Sequence, residues 1–191
     1  MDLAPDKGER ILAAAAKLIV QNGLQCSMSA IADEAGVATG SLYNYFKSKE
    51  DLVRGVYVRI AVDMTQRLAG APHPGTSHAD QVRHYIERYI DFIWEDAVRA
   101  RLFDYLDNTP LITLSETIDI FGPFFDHSVL MLEAAQAEGS VNDTSARLMA
   151  SFVRGAIRNT LNRRRLNPAP LTTTERSQIA AMCWNAIATR N

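Results

Sequence analysis

Cysteine is scarce: Cys26 and Cys183 are the only two, far apart and in no metal-ligand spacing. A disulfide framework and a zinc module are therefore excluded, and both thiols read as reduced, small apolar residues. Long apolar runs are missing as well, since no stretch approaches the roughly 18 residues a membrane helix needs. The opening MDLAPDKGER carries charge and proline where a signal peptide has its apolar core, so the expected location is the cytoplasm. There is no Gly-rich phosphate loop, nucleophile elbow or metal-spaced His/Glu set, and no enzyme activity, cofactor or metal is expected. His73 and His78, five apart, lack further ligands at compatible positions. The adjacent Asp126 and His127 are the one pair on which a helical enzyme could be argued, and nothing else supports it.

Charge of one sign is also lacking. The net charge is −2, and within residues 1–50 Lys7, Arg10, Lys17, Lys47 and Lys49 face Asp2, Asp6, Glu9, Asp33, Glu34 and Glu50. That balance excludes a general nucleic-acid coat and leaves room only for local contacts through single lysines, hydroxyls and helix N-termini. The 47% hydrophobic and 22% charged content is ordinary for a globular chain.

What is present is helical periodicity, organised around SMSAIADEAGVATGSLYNYFKSKE at residues 27–50. Ser27 caps a short helix whose apolar face is Ile31, Ala32 and Ala35, and Gly36 stops it. After a corner at Val37, Thr39 to Phe46 supplies a second helix roughly 12 Å long, which fits a major groove about 12 Å wide. Leu42 and Phe46, four apart, point inward, which turns Ser41, Asn44 and Tyr45 outward and leaves Tyr43 at the flank. A preceding helix from Lys7 to Asn22, apolar at Ile11, Leu12, Ala15, Leu18 and Ile19, closes a three-helix head.

The run GVATGSLYNYFKSKEDL resembles the TetR family of bacterial transcription regulators. The likeness rests on Gly36-Val37, Gly40, Leu42-Tyr43, Phe46 and Lys47 to Glu50. It departs from the family at Ala38, where a capping serine is frequent, and at Thr39, where lysine or another polar residue is frequent, so operator preference is not transferable. The resemblance implies an all-α protein: a helix-turn-helix head at residues 1–47, then residues 48–191 as a connecting helix and a helical bundle for ligand binding and dimerisation. It implies double-stranded DNA, a second copy of the chain and a small-molecule effector as partners. The residues expected at DNA are Ser27, Ser29, Thr39, Gly40, Ser41, Tyr43, Asn44, Tyr45, Lys47 and Lys49.

Beyond the head, Ser48 and Asp51 read as a capping box for a helix carrying Leu52, Val56, Ile60, Met64 and Leu68 inward. GAPHPGTS at residues 70–77 is the linker. Residues 79–98 form an amphipathic helix, 99–106 a shorter one, and Thr113 with Glu116 caps another that reaches Gly139, with a bend expected at Gly122-Pro123. The aromatics of this region and the family's pocket position together point to an effector site at Tyr89, Trp94, Phe103, Phe121, Phe125 and Phe152. A helix from Asp143 to Arg165 has Arg147, Ser151, Arg154 and Arg158 as a polar stripe opposite Leu148, Phe152, Gly155, Ala156 and Leu161. A last helix, boxed by Thr172 and Glu175, is apolar on all sides from Ile179 to Ala188 except at Asn185, and so asks for burial on two faces. The expected dimer interface is Phe152, Ala156, Ile179, Cys183, Ala186 and Ile187. The reading is a homodimeric repressor on an inverted-repeat operator, released by a small molecule. The alternatives are a regulator of the same fold controlled by a protein partner, or an activator.

Overall fold

The computed structural model describes residues 6–70, 75–108 and 112–189. The middle of the linker, with His73, lies outside them. Among the described residues there are nine α-helices, a 3-10 turn and one isolated antiparallel bridge, Val141 to Ala188. No described helix is long and apolar enough to cross a membrane. The chain forms two compact units, one from residues 1–62 and 101–120, the other from 63–100 and 121–191.

In the first unit, α1 (Lys7–Asn22) starts at Asp6, whose carboxylate accepts from the Lys7 amide at 2.7 Å. Ile11, Ala14, Ala15, Leu18 and Ile19 are buried at helical spacing, while the expected Leu12 is half-buried. α2 (Met28–Ala35) opens with the Ala30 amide donating to Ser27 Oγ at 3.1 Å. It closes at left-handed Gly36 (φ 65°), with Val37 N–H donating to Ala32 O and Gly36 N–H to Asp33 O. That paired closure satisfies carbonyls the last turn would leave orphaned, and it tolerates glycine best.

α3 (Thr39–Tyr45) is short, and its single fully buried residue is Leu42. α4 (Lys49–Leu68) then buries Leu52, Val56 and Ile60 as expected, with Met64 and Leu68 continuing the row. Its start is half a capping box: Asp51 N–H donates to Ser48 Oγ, but the Asp51 carboxylate accepts from Lys47 N–H, both at 3.0 Å. Gly55 is the close-approach point, because a Cβ there would lie 2.9 Å from Phe46 Cε1 and 3.0 Å from Leu12 Cδ2. Gly55→Val is therefore expected to wedge α4 away from the head and cost roughly 1–3 kcal/mol, read from urea unfolding. α6 (Ala97–Asn108) and the beginning of α7 (Leu114–Ala137) complete the unit. Tyr57 donates from its hydroxyl to the Leu102 carbonyl at 3.0 Å, and Arg54 pairs with Glu116. Thr113 and Glu116 exchange both bonds of their box, at 2.9 and 3.2 Å.

In the second unit, α5 (His78–Glu95) begins one residue before the sequence reading because Ser77 Oγ accepts from Asp80 N–H at 3.1 Å. Its buried side is Val82, Tyr85, Ile86, Tyr89, Ile90, Phe92 and Ile93. Tyr85, Tyr89 and Phe124 stack with centroids 6.1 to 6.4 Å apart, so these aromatics are largely core. α7 runs as one helix through Gly122 and Pro123. Arg99 is buried, and donates from Nε to the Phe92 carbonyl and from Nη1 to Asp63, both at 2.9 Å. It thus pins the corner between α5 and α6 to the end of α4, a role with no signature in the sequence.

α8 (Ala146–Arg164) buries Ala146, Met149, Ala150, Val153, Ile157 and Leu161. Of the expected face only Leu161 is among them: Leu148 and Phe152 are 65% and 55% exposed, and Gly155 and Ala156 are half-buried. Arg154, expected on the outward stripe, turns in, with its guanidinium 4.8 Å from the Phe125 ring and Nη1 donating to Ser128 Oγ at 3.0 Å. α9 (Thr173–Ile187) has its full box at Thr172 and Glu175. Arg164 adds hydrogen bonds to Glu175, and these contacts hold that carboxyl down to about 2. Arg165 donates to the Ile93 and Trp94 carbonyls at 2.7 Å, so two of the three arginines at 163–165 close helix ends.

Candidate functional site

Two features of the described chain are built like sites: the outer edge of α3 in the first unit and a cleft in the second.

The α2–turn–α3 element is braced from α1. Arg10 donates from Nη2 to the Gly36 carbonyl at 2.9 Å, and Lys17 pairs with Glu34 at 2.6 Å, so these two of α1's three cations are engaged in holding the turn. Leu42, with no exposure, and half-buried Phe46 set the rotation of α3. Thr39, Gly40, Asn44, Tyr43 and Tyr45 are then exposed, with Ser41 half-buried between them. Tyr45 lies against the first turn of α1, its ring 3.4 Å from where a Gly8 Cβ would be. Ser27 and Ser29, also exposed, sit at the start of α2 with their hydroxyls 2.9 Å apart. A Cβ at Gly40 would meet nothing within 4 Å, and its φ is not positive. The protein's own packing therefore does not require glycine there.

The two lysines differ. Lys47 is exposed and donates to the Tyr43 carbonyl at 3.3 Å, which leaves its ammonium at the end of α3. Lys49 is half-buried and donates to the Leu24 carbonyl in the 3-10 turn (Gly23–Gln25), so its charge is turned toward the head's interior. Sequence spacing treats them alike, and only the fold separates them.

The cleft, of about 430 Å³, lies where the end of α4, the start of α5 and the second half of α7 meet. Leu68, Leu130, Met131 and Ala134 line one part, and His78, Gln81, His84, Arg88 and His127 another. None of the six aromatics expected at an effector site lines it. Tyr89 and Phe121 are buried in the aromatic core, and Phe125 is half-buried beneath Arg154. Trp94 is covered by Arg165 at 4.7 Å. Phe103 is buried in the first unit, and Phe152 is exposed on α8. Aromatic density marked the core, because large apolar rings gain most from full burial. The signal that would have found the cleft was the polar row His78, Gln81, Tyr85 and Arg88, spaced three, four and three along one face of α5.

The six residues expected at a dimer interface also divide. Ile179, Cys183 and Ile187 are buried within the chain, where α9 packs on α5 and α8. Phe152 and Ala186 are exposed, Ala156 is half-buried, and Met182, 60% exposed, joins them on the open side. Burial also raises the Cys183 thiol above its ordinary value, which keeps it protonated and inert.

Residues 11–56 match the family model described as bacterial regulatory proteins, tetR family. The HTH-type transcriptional activator FasR of Mycolicibacterium smegmatis is 32% identical over 94 residues, 49% of this chain and 43% of that protein. The fatty acid metabolism regulator protein of Bacillus subtilis is 45% identical over 49 residues, 25% of each chain. These matches span half or less of the curated relatives' lengths. A TetR family transcription regulator from Marinobacter aquaeolei superposes with a TM-score of 0.85 at 17% identity, over 96% of each chain. The regulator FadR from Bacillus subtilis, solved in complex with stearoyl-CoA, does so with 0.76 at 20% identity, over 93% of this chain and 95% of that one. At such identities the likeness is one of fold.

Proposed function

The chain belongs to the TetR family of bacterial regulatory proteins, whose pattern its residues 11–56 carry, and from that premise we propose that it is a DNA-binding transcriptional repressor. It acts as a homodimer on an inverted repeat and is released by a small molecule held in its helical body. Residues 1–47 are the reading head, and residues 48–191 supply the connecting helix, effector site and dimer contact. The observation that carries this reading is the edge of α3, whose hydroxyl and amide side chains at Thr39, Ser41 and Asn44 stand on a helix braced from behind by Arg10 and Leu42. A rigid helix offering short hydrogen-bonding groups at its N-terminal end is what reading base edges requires.

Gly40 gives this a sharp test. Gly40→Ala should stabilise the isolated protein by up to about 1 kcal/mol, since alanine favours a helix and meets no neighbour. The same methyl should weaken operator binding about tenfold if a DNA backbone or base edge approaches α3 there. Melting temperature and electrophoretic mobility shift, on an operator selected from random duplexes, measure the two effects. A variant that binds as tightly as the parent would place the DNA elsewhere.

The dimer reading rests on Phe152, Met182 and Ala186, which leave one apolar side of α8 and α9 uncovered by their own chain. The effector reading rests on the cleft, with its apolar wall and a few converging polar groups. The stearoyl-CoA bound by FadR and the name of the other Bacillus relative make acyl compounds the first effectors to try. The activator FasR favours a second reading, in which this chain raises transcription. A reporter gene behind the selected operator decides the sign, because repression requires expression to rise when the protein is removed.

A further inference from the structure

The cleft in the second unit carries charge of one sign. Among the described residues its lining holds Arg88 and the histidines His78, His84 and His127, and no acidic residue. The carboxylates that neighbour its histidines, Glu138 beside His78 and Asp80 beside His84, are both hydrogen-bonded. Asp80 accepts from Ser77 Oγ at 2.8 Å and from Arg83 at 3.3 Å, and Glu138 accepts from Ala79 N–H at 3.2 Å and Ser140 Oγ at 2.9 Å. Arg88 lies beside Gly70, just past the end of α4, where a Cβ would stand 3.9 Å from both its terminal nitrogens.

Two buried polar atoms add to this. His78 Nδ1 is buried with no hydrogen-bond partner. The Tyr85 hydroxyl, on a residue only 5% exposed, neighbours Arg154 and Ser128 but has no hydrogen bond of normal geometry. Buried polar atoms of this kind are ordinarily satisfied, and both residues are among those that line the cleft. Burial pushes the Tyr85 phenol up, so it remains an O–H donor. Burial, with the nearby Arg88, pushes His127 down, so its imidazole is a neutral hydrogen-bonding group and Arg88 supplies the fixed positive charge. Another part of the lining is apolar: Leu130, 65% exposed, with Met131 next to it and Ala134 one turn on.

We propose that this cleft binds an amphiphilic anion, its acidic head on Arg88 with His78, His84 and His127 and its hydrocarbon part along Leu130, Met131 and Ala134. The inference deepens the effector reading above and rests on it for the link to DNA, but binding itself is independent of that link. A planar guanidinium holds a carboxylate or phosphate through two parallel hydrogen bonds, and imidazole N–H groups complete the oxygen's shell. A neutral molecule would leave the guanidinium without a counter-charge, and a cation would be repelled. A free fatty acid and an acyl thioester of an anionic carrier share the required chemistry.

Calorimetric titration of the full chain with decanoate, 1-decanol, decylamine and decanoyl-CoA tests the proposal. Decanoate or decanoyl-CoA should bind one per chain, at least tenfold more tightly than decanol, with no binding of decylamine. Arg88→Gln should weaken the anion at least tenfold and leave decanol unchanged, whereas Leu130→Gln should weaken both together. Both positions are exposed, so neither change threatens folding. Binding of decanoate assigns the free acid as the source, and binding of decanoyl-CoA alone assigns the thioester. Decanol binding as tightly as decanoate and decanoyl-CoA, neither anion binding, or an Arg88→Gln protein with unchanged anion affinity would overturn it. Failure here with operator binding intact removes the anion site and leaves the DNA-binding reading standing. An anion that binds without releasing the operator removes effector release and leaves the site.

Discussion

A monomer that no longer holds its operator is the expected result of Phe152→Glu or Ala186→Glu. Both side chains lie on the open side of α8 and α9, and in a two-fold pairing each substitution places two carboxylates in the contact. An unpaired charge in a desolvated interface costs several kcal/mol, enough to raise a submicromolar dimer constant beyond working concentration. Operator affinity should then fall by at least a hundredfold, because a monomer loses the gain from holding two half-sites at once. Sedimentation at micromolar concentration reads the first effect and mobility shift the second. A variant that stays dimeric would mean that some other surface pairs. Ile179→Asp, which the sequence pattern alone recommends for the same purpose, makes a different prediction. Ile179 is 6% exposed within the single chain, so the charge should unfold the body, and circular dichroism should show lost helix.

The second large effect concerns how α3 divides its labour. Asn44→Ala, and changes at Thr39 or Ser41, should alter which bases are preferred, at roughly 1–3 kcal/mol per lost base contact. Lys47→Ala should weaken all sequences about equally and lower the salt slope by about one unit per subunit, as expected for a lost phosphate contact. Lys49→Ala should behave otherwise. Its ammonium is engaged by the Leu24 carbonyl, so it should act on the stability of the head more than on the salt slope. Selection from random duplexes at two salt concentrations separates the three classes. If Lys47→Ala changes the preferred motif while Asn44→Ala does not, α3 lies in the groove the other way round.

Much of the head was legible because its signals are local. Ser27 as cap, Gly36 as stop, and the spacing of Leu42 and Phe46 each act within one or two helical turns, and the structure has all of them. The bounds of α1 and the box of α9 were readable for the same reason. At the start of α8 the boundary moved because a bond to a distant residue intervened. α8 begins at Ala146, not at Asp143, with Asn142 N–H donating to the Ile187 carbonyl at 2.9 Å and Thr144 N–H to Asn142 Oδ1 at 3.1 Å, which holds that stretch in a turn.

That the chain is helical, where its short head turns and which side of α3 faces out follow from local residues alone, since caps, left-handed glycine and i to i+4 spacing are properties of neighbours in the chain. Long-range packing settled which of two apolar faces of α8 meets its own chain, that Arg154 turns inward and Lys49 toward the head's interior, and that the cleft is lined by histidines and Arg88 and by none of the six aromatics expected there. A helix with apolar residues on two sides has no local preference between them. The choice falls to whichever neighbouring helix buries more surface, and that is set by residues tens of positions away.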